Sequence, residues 1–257
     1  MKKLLSILTI IIFFNLNAQE EYGEFLDNAI EAAAKYDVEN YNINLKYFVT
    51  AIERKDVTPE TLPEMFYNKY LQCVFTSQLY KIEMPEEFKN SIYQFAKYGA
   101  DKGNPDAMYV LARAYLDGTG IEQNKEKGLQ WLNQAGEKGS PEAMYLLGTF
   151  YRFGAHLEKN TEKADYWGNK ALNALLTRAE KENEQNDLTL IWICNSFQNQ
   201  QNWEEAKKWA EKTAKRGNVV GMTQFGFILK QTNENDKAKE WLQKACNANF
   251  KDACLLK

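Results

Sequence analysis

The sequence predicts an all-α protein, built as an α/α solenoid of stacked antiparallel helix pairs. Two segments repeat each other 36 residues apart, since Gly103–Ala112 corresponds to Gly139–Gly148. A second motif occurs four times: a charged residue, then Gly or Ala, then Trp three residues later. The chain is also poor in proline and valine, a composition that favours helices over sheets. Together the repeats and the composition predict helical hairpins that follow one another along the chain.

Residues 1–18 show the order of features that is typical of a secretory signal peptide. Lys2 and Lys3 precede an apolar run that ends at Phe14, and the small Ala18 completes the segment. The run is shorter than the roughly 20 residues that a membrane-spanning helix needs. We therefore expect cleavage after residue 18, a periplasmic or secreted location and no stable membrane insertion. The alternative is a signal anchor that stays uncleaved.

The composition excludes several classes of function. The formal net charge is −3, and removing Lys2 and Lys3 makes the mature chain more acidic. Such a surface lacks the basic patch that binds nucleic acid or anionic lipid. The one histidine, His156, excludes multi-histidine metal sites and would have to serve any Ser–His or Cys–His mechanism. We interpret His156 as an exposed turn residue, with a general base as the alternative, because no motif places a nucleophile beside it.

The first helix of each predicted pair begins with the earlier of the two motifs. In the first copy Ala107, Leu111 and Tyr115 recur at helical spacing, so that they share one face. A turn that contains Gly118 and Gly120 follows the helix. The same order recurs from residue 143 and, with more substitutions, from residue 221.

The second helix of each pair carries the Trp motif. Asn124 and Asn160 stand three residues before the Lys of the motif and are predicted N-caps. Within the helix, a small residue, the Trp and a further Ala lie on one face. Small residues let two helices approach closely, and the Trp fills the space to the neighbouring pair. Because one pair cannot bury its apolar face alone, neighbouring pairs must stack.

Two regions depart from this pattern. Residues 161–184 read as one long second helix, whose extra turns are either a partner-specific feature or a tolerated insertion. The next turn, from Gln198 to Asn202, contains no glycine, so we expect a distorted copy there. Residues 19–85 lack the repeat motifs but look helical, and we interpret them as a cap or as degenerate repeats. We assign residues 86–257 to the repeats.

The four cysteines fall into two classes. Cys246 lies near the end of a second helix, and Cys254 lies on the next first helix, where other copies have methionine. A bond between them would join two antiparallel helices and would stabilise the chain by about 2–3 kcal/mol in the chain-entropy model. Export favours this oxidised form, and the alternative is a pair of buried thiols. Cys73 and Cys194 are interpreted as small apolar core residues.

These motifs resemble the Sel-1-like repeat family, a relative of the tetratricopeptide repeats, over about residues 86–257. The family pattern is Ala-x-x-x-Leu-Gly-x-x-Tyr, a Gly-x-Gly turn, and Lys-Ala-x-x-Trp-x-x-x-Ala-Ala-x-x-Gly. In this sequence the structural positions of the pattern are Ala107, Leu111, Tyr115, Gly118, Gly120, Trp131, Ala135, Ala143, Leu147, Gly148, Tyr151, Ala164, Trp167, Ala171, Ala206, Trp209, Ala238, Trp241 and Ala245. Cysteine-rich exported members of the family carry paired cysteines at the spacing of Cys246 and Cys254.

The resemblance implies an adaptor that binds another protein, with no catalytic residue, cofactor or metal. We expect the binding surface to be the concave face formed by the first helices. Exported bacterial members imply two alternatives: an immunity-type inhibitor of an exported toxin, and a weak cell-wall or β-lactam-directed enzyme. Trp192 and Trp203 fall outside the Trp register, so each is either an exposed binding anchor or a residue buried against the long insertion.

Overall fold

The computed structural model of the chain describes residues 24–54, 58, 71–74, 76, 77 and 80–256. Within these residues every regular element is a helix, which confirms the all-α prediction. The predicted signal peptide, residues 1–18, lies outside the described residues.

Thirteen helices occur in the described part of the chain, and we number them in chain order. They are α1 (24–34), α2 (Val38–Glu53), α3 (helical at 71–74, 76, 77 and 80), α4 (Glu86–Asp101), α5 (Pro105–Asp117), α6 (Lys125–Glu137), α7 (Pro141–Phe153), α8 (Thr161–Lys181), α9 (Asp187–Asn199), α10 (Trp203–Lys215), α11 (Val219–Gln231), α12 (Asn235–Asn247) and α13 (Lys251–Leu255).

The helices from α5 onward alternate between first and second members of a pair. Each first helix packs along the second helix that follows it, as α5 packs on α6 and α7 on α8. Each second helix also packs on the first helix of the next pair, as α6 does on α7. Neighbours in sequence are therefore neighbours in space, which confirms the predicted α/α solenoid of stacked antiparallel pairs.

Polar caps fix where these helices begin. The two predicted N-caps of second helices are in place, since Asn124 Oδ1 accepts the Lys127 N–H at 2.9 Å and Asn160 Oδ1 accepts the Lys163 N–H at 2.8 Å. Each cap satisfies a backbone donor that has no partner inside the helix. First helices are capped in the same way by Asn104, Ser140, Asn186 and Asn218.

The turn between the two helices of a pair needs a left-handed residue. In the first pair Gly120 has a φ of +69°, and a Cβ on it would lie 2.5 Å from the carbonyl oxygen of Lys89 in α4. In the second pair the equivalent residue is His156, with a φ of +64°. His156 is exposed and its ring centroid lies 4.7 Å from that of Phe150. The second turn thus keeps the backbone of the first, although histidine is strained in this conformation.

Small residues let the helices cross at short range. A Cβ on Gly221 in α11 would lie 2.2 Å from Thr213 Oγ1 and 2.9 Å from the backbone nitrogen of Ala214 in α10. A Cβ on Gly148 in α7 would lie 3.2 Å from the carbonyl oxygen of Ala164 in α8. Glycine at these positions is therefore a packing requirement, since any side chain would push the two helices apart.

The repeat tryptophans pack between pairs, but they are half-buried and not fully enclosed in the core. Trp167 reaches back to the preceding second helix, where a Cβ on Gly136 would lie 3.2 Å from its ring. The outer faces are covered by lysines one helical turn later: the ammonium of Lys212 lies 4.2 Å from the Trp209 ring centroid, and Lys170 and Lys244 cover Trp167 and Trp241. Each lysine thus makes a cation–π contact with the ring face that the neighbouring pair leaves exposed, and its aliphatic part covers that face.

The N-terminal helices pack against the beginnings of the first helices. Tyr80 in α3 accepts a hydrogen bond from the side-chain amide of Asn218, the N-cap of α11. The rings of Tyr36 and Phe250 meet edge to face with centroids 5.2 Å apart, and Lys81 pairs with Asp252 in α13. The N-terminal helices of the described residues are therefore in contact with α13, and one hydrophobic cluster includes residues of both α1 and α13.

A disulfide joins Cys246 in α12 to Cys254 in α13, with the Cα atoms 4.9 Å apart. It ties the last short helix to the second helix before it. Of the other two cysteines, Cys73 is buried and its Sγ donates to the Leu26 carbonyl oxygen at 3.5 Å. Cys194 is buried as well, and burial raises the pKa of its thiol to about 12.

We predict that Gly221→Ala destabilises the protein by about 1–3 kcal/mol, because the new methyl group overlaps atoms of α10. Gly168→Ala is the matched control, since a Cβ there meets nothing within 4 Å and the residue lies inside α8. The control should gain about 0.5–1 kcal/mol from its better helix propensity. Urea unfolding followed by circular dichroism measures both, and equal effects of the two changes would contradict the packing requirement.

We predict that reduction of the Cys246–Cys254 bond lowers the free energy of unfolding by about 2–3 kcal/mol, because the unfolded chain then regains loop entropy. Urea unfolding with and without a thiol reductant gives the difference. The control is the double variant Cys246→Ser/Cys254→Ser, which should match the reduced protein and should not respond to the reductant. An unfolding midpoint that reductant leaves in place in the wild-type protein would refute the prediction.

Candidate functional site

The first helices present corresponding residues at their C-terminal ends. Helices α5, α7, α9 and α11 all have 13 residues, so their last positions are equivalent. Three of the four last residues are polar, namely Asp117, Asn199 and Gln231, whereas α7 ends in Phe153. Phe153 therefore places a large apolar side chain where the other three first helices have a polar one.

A groove opens beside Phe153, between the second and third pairs. Its volume is about 550 Å³, within the range of ligand sites in proteins. We call it the Phe153 groove; its lining residues are Arg152, Phe153, Lys159, Thr161, Gln198, Asn199, Gln201 and Trp203. They come from the end of α7, the loop after it, the end of α9 and the start of α10.

Two aromatic residues supply the apolar part of the groove. Phe153 is 69% exposed, the second most exposed of the large hydrophobic residues in the described chain. Trp203 is half-buried and held by Phe227 of the next pair, at a centroid distance of 6.2 Å. The Trp203 side is thus fixed by packing, while Phe153 offers most of its surface to solvent.

The polar lining is a set of carboxamides. Gln198 donates through Nε2 to Cys194 Sγ at 3.1 Å, which holds its side chain along α9. Outside the groove lining, Gln224 of α11 donates to Asn195 Oδ1 of α9 at 2.7 Å, and the buried Gln224 Oε1 has no donor among the described residues. Carboxamides offer both donors and acceptors, so a row of them can bind the main chain of an extended segment.

The charged groups that line the Phe153 groove are both cations. The Arg152 guanidinium lies 2.9 Å from Asp165 Oδ1, an ion pair whose members are both partly exposed. Lys159 is exposed in the loop after α7. No carboxylate belongs to the lining. Asp165 therefore compensates the charge of Arg152, and Lys159 is the exposed cation of the lining, although the whole chain carries a net charge of −3.

The opposite ends of the first helices are occupied by the protein itself. The extra turns of α8 bring Arg178 to Glu142 at the start of α7, with Nη1 and Oε1 2.6 Å apart. The same guanidinium lies 3.5 Å from Asp106 Oδ2 at the start of α5. Burial raises the pKa of Glu142, and the attraction of Arg178 opposes that shift. The extra turns of α8 thus brace two successive pairs.

The structure answers the questions that the sequence left open about the two tryptophans. Trp192 is half-buried and meets Tyr145 edge to face at 4.9 Å, packed against α8. Trp203 lies at the groove, so it is the better placed of the two to contact another molecule. Neither is a freely exposed anchor. The exposed anchor is Phe153, whose only signal in the sequence is an aromatic residue at a helix end that is otherwise polar.

A larger cleft of about 730 Å³ lies outside the repeats, between α2 and residues 83–89. Its lining mixes cations with carboxylates, for example Lys46 and Lys89 with Glu53 and Glu86. In the described part of the chain, no three His, Cys, Asp or Glu residues are grouped as metal ligands would be. None of the helices within the described ranges has the length and apolar content to cross a bilayer.

We predict that Glu142→Ala lowers the free energy of unfolding by about 2 kcal/mol, because it leaves the largely buried Arg178 without its closest partner. The matched control is Asp165→Ala, which breaks the more exposed pair with Arg152 and should cost less than about 1 kcal/mol. The triple variant Asp106→Asn/Glu142→Leu/Arg178→Met should recover most of the loss, since none of the three interacting charges remains. Urea unfolding of the three variants tests this, and equal losses in the first two would refute it.

Comparison with known proteins gives one family and several similar folds. The Sel1 repeat model matches residues 105–140, 141–174, 200–218 and 222–250. No curated protein matches the chain in sequence. The unmatched residues 175–199 contain the extension of α8 together with α9, which is the copy that the sequence predicted to be distorted.

Three solved structures are similar at low identity. A Sel1 repeat protein from Oxalobacter formigenes is 18% identical, with 88% of this chain and 75% of that chain covered and a TM-score of 0.45. The protein c5321, a protective antigen present in uropathogenic Escherichia coli strains with an SLR fold, is 16% identical, with 87% and 57% covered and a TM-score of 0.34. MamA is 19% identical, with 65% and 90% covered and a TM-score of 0.38.

The family matches coincide with the helices of the repeats. The first covers α5 and α6, the second covers α7 and most of α8, and the others cover α10, α11 and α12. Sequence, helix order and family model therefore agree on the same units, and the repeat region of this chain belongs to the Sel1 repeat family.

Proposed function

We propose that this protein is an exported scaffold that binds a segment of another protein at the C-terminal ends of its first helices. The observation that carries the proposal is the Phe153 groove, which combines an exposed aromatic side chain with a carboxamide lining. Solenoids bind partners on the extended surface that their repeated helices create. Sel1 repeats in general mediate binding to other proteins, which supports a scaffold as the class of function.

The N-terminal and C-terminal ends of the first helices differ in how much solvent-accessible surface they offer to a partner. Their N-terminal ends are covered by the chain's own helices α1 and α3, through contacts such as Tyr80 with Asn218. Two smaller spaces remain there: about 240 Å³ around Arg178 and Glu142, which already pair with each other, and about 290 Å³ between α1, α3 and the start of α9. Their C-terminal ends carry the open groove. These ends therefore offer a partner an exposed aromatic side chain together with polar groups in one open groove.

The export part of the proposal rests on residues 1–18 and on the disulfide. The order of charge, apolar run and small residue is typical of a secretory signal peptide. Disulfides persist in oxidising compartments and are rare in reducing ones. A Cys246–Cys254 bond near the C-terminus fits a protein that works outside the cytoplasm.

We predict that a photo-crosslinking amino acid at position 199 captures a second protein in the native cell, because Asn199 lines the groove. The matched control carries the same amino acid at position 239, since Lys239 is exposed on α12 outside the groove. The readout is a discrete higher-mass adduct after irradiation. It should appear from position 199, be absent from position 239, and weaken when Phe153→Ser is added.

Three outcomes would overturn the assignment of the binding surface. They are an equal adduct from both positions, the absence of any adduct, and an adduct with a second copy of this chain. The export part is tested separately by intact-mass measurement of the protein recovered from envelope and medium fractions. It should lack residues 1–18, and a full-length chain in the cytoplasmic fraction would refute export.

A further inference from the structure

The Phe153 groove holds enough chemistry to define the kind of segment that would occupy it. Its apolar wall is formed by Phe153 and Trp203, which line the same space from α7 and α10. A partner side chain between two aromatic residues removes apolar area from water on both sides, and this favours a large aliphatic or aromatic group. The first feature of the occupant is therefore an apolar side chain.

The second feature follows from charge. Arg152 stands in the last turn of α7, where a cation also interacts favourably with the helix dipole. Lys159 lies six residues beyond the end of that helix, so interaction with the helix dipole does not explain a cation at this position. The charge of Arg152 is compensated by its ion pair with Asp165, and with no carboxylate in the lining, Lys159 is the cation that favours an anionic group in the groove. The net negative charge of the whole chain opposes such a partner at long range, so Lys159 must provide the local attraction.

The third feature comes from the amides between the aromatic and cationic groups. Gln198, Asn199 and Gln201 line the groove side by side, and Gln201 has a φ of +59° at the turn that lacks glycine. Carboxamides pair with the N–H and C=O groups of a main chain that has no internal hydrogen bonds. An extended segment supplies such groups, whereas a helix has already paired them. The occupant is therefore an extended segment of polypeptide.

We propose that the Phe153 groove binds an extended, acidic segment of another protein, in which a carboxylate stands next to a large apolar side chain. The inference rests on the proposed scaffold function and specifies its partner. The carboxylate pairs with Lys159, the apolar side chain lies between Phe153 and Trp203, and the main chain pairs with the carboxamides.

The test is selection from a phage-displayed library of random twelve-residue peptides on the mature protein. We expect the selected peptides to contain Asp or Glu within two residues of Phe, Trp, Leu or Ile. Affinities of the synthesised peptides are then measured by fluorescence anisotropy. Lys159→Glu should weaken binding about tenfold or more, because a like charge replaces the attraction. Phe153→Ser should weaken it by a similar factor through loss of the aromatic wall.

Matched controls separate the groove from the rest of the surface. Lys239→Glu makes the same charge change on α12, and Tyr166→Ser removes another exposed aromatic residue, 57% exposed on α8 and outside the groove lining. Both controls should bind within about twofold of the wild type. Selection repeated on Lys159→Glu should enrich basic peptides instead of acidic ones. Binding should also weaken as salt rises, since the charges are exposed.

The outcomes distinguish this inference from the proposed function. Selected peptides that lack carboxylates, or that bind Lys159→Glu as well as the wild type, overturn the acidic partner. Peptides insensitive to Phe153→Ser overturn the groove as their site, and so does the absence of any selected peptide. If position 199 still yields its crosslinked partner in cells, the scaffold function stands while the acidic segment fails. If neither experiment detects a partner at the groove, both proposals fail.

Discussion

Close approach between helices is the constraint on which the whole structure depends. Gly148 and Gly221 leave so little space that a methyl group would meet backbone or side-chain atoms of the neighbouring helix. Because the helices are this close, each helix buries its apolar face directly against its neighbours, and these contacts form the hydrophobic core. The small residues therefore set how far apart the pairs stand, and the half-buried tryptophans fill what remains. Each of these indoles packs against the neighbouring pair on one side, and a lysine covers the side that stays exposed.

A solenoid of this kind has free ends, and the chain deals with them in two ways. The C-terminal end is tied by the Cys246–Cys254 bond between α12 and α13. The first helices are also covered where they begin, because Tyr80 of α3 contacts the N-cap of α11 and Tyr36, in the turn after α1, contacts the N-cap of α13. The long α8 adds an ionic brace through Arg178. The extension thus contributes to the packing of the first two pairs, and the two interpretations of it, a partner-specific feature and a tolerated insertion, stay predictions.

The candidate site was only partly predictable from the sequence. The repeat motifs identified the first helices and hence the surface to inspect, and the misplaced Trp203 marked one wall of the groove. Phe153 and Lys159 were missed, because they lie outside every repeated position and look like ordinary residues of a helix end and a loop. The two residues line the groove only because the end of α7 and the loop after it lie beside the end of α9 and the start of α10. The comparison of equivalent helix ends, where Asp117 and Asn199 are polar, is the one sequence signal that pointed to Phe153.

The sequence by itself determined the local structure: helix pairs, their caps, the left-handed stops and the order in which the pairs stack. These features follow from side-chain periodicity and backbone preference, which act over a few residues and repeat at each copy. Only the tertiary structure decided what the unrepeated residues do. The packing of α3 on the N-cap Asn218, the reach of Arg178 to Asp106, and the groove that Phe153 and Trp203 line together all bring together residues from different repeats or from outside them. Such contacts depend on the accumulated geometry of many stacked helices, and no short stretch of sequence encodes that geometry.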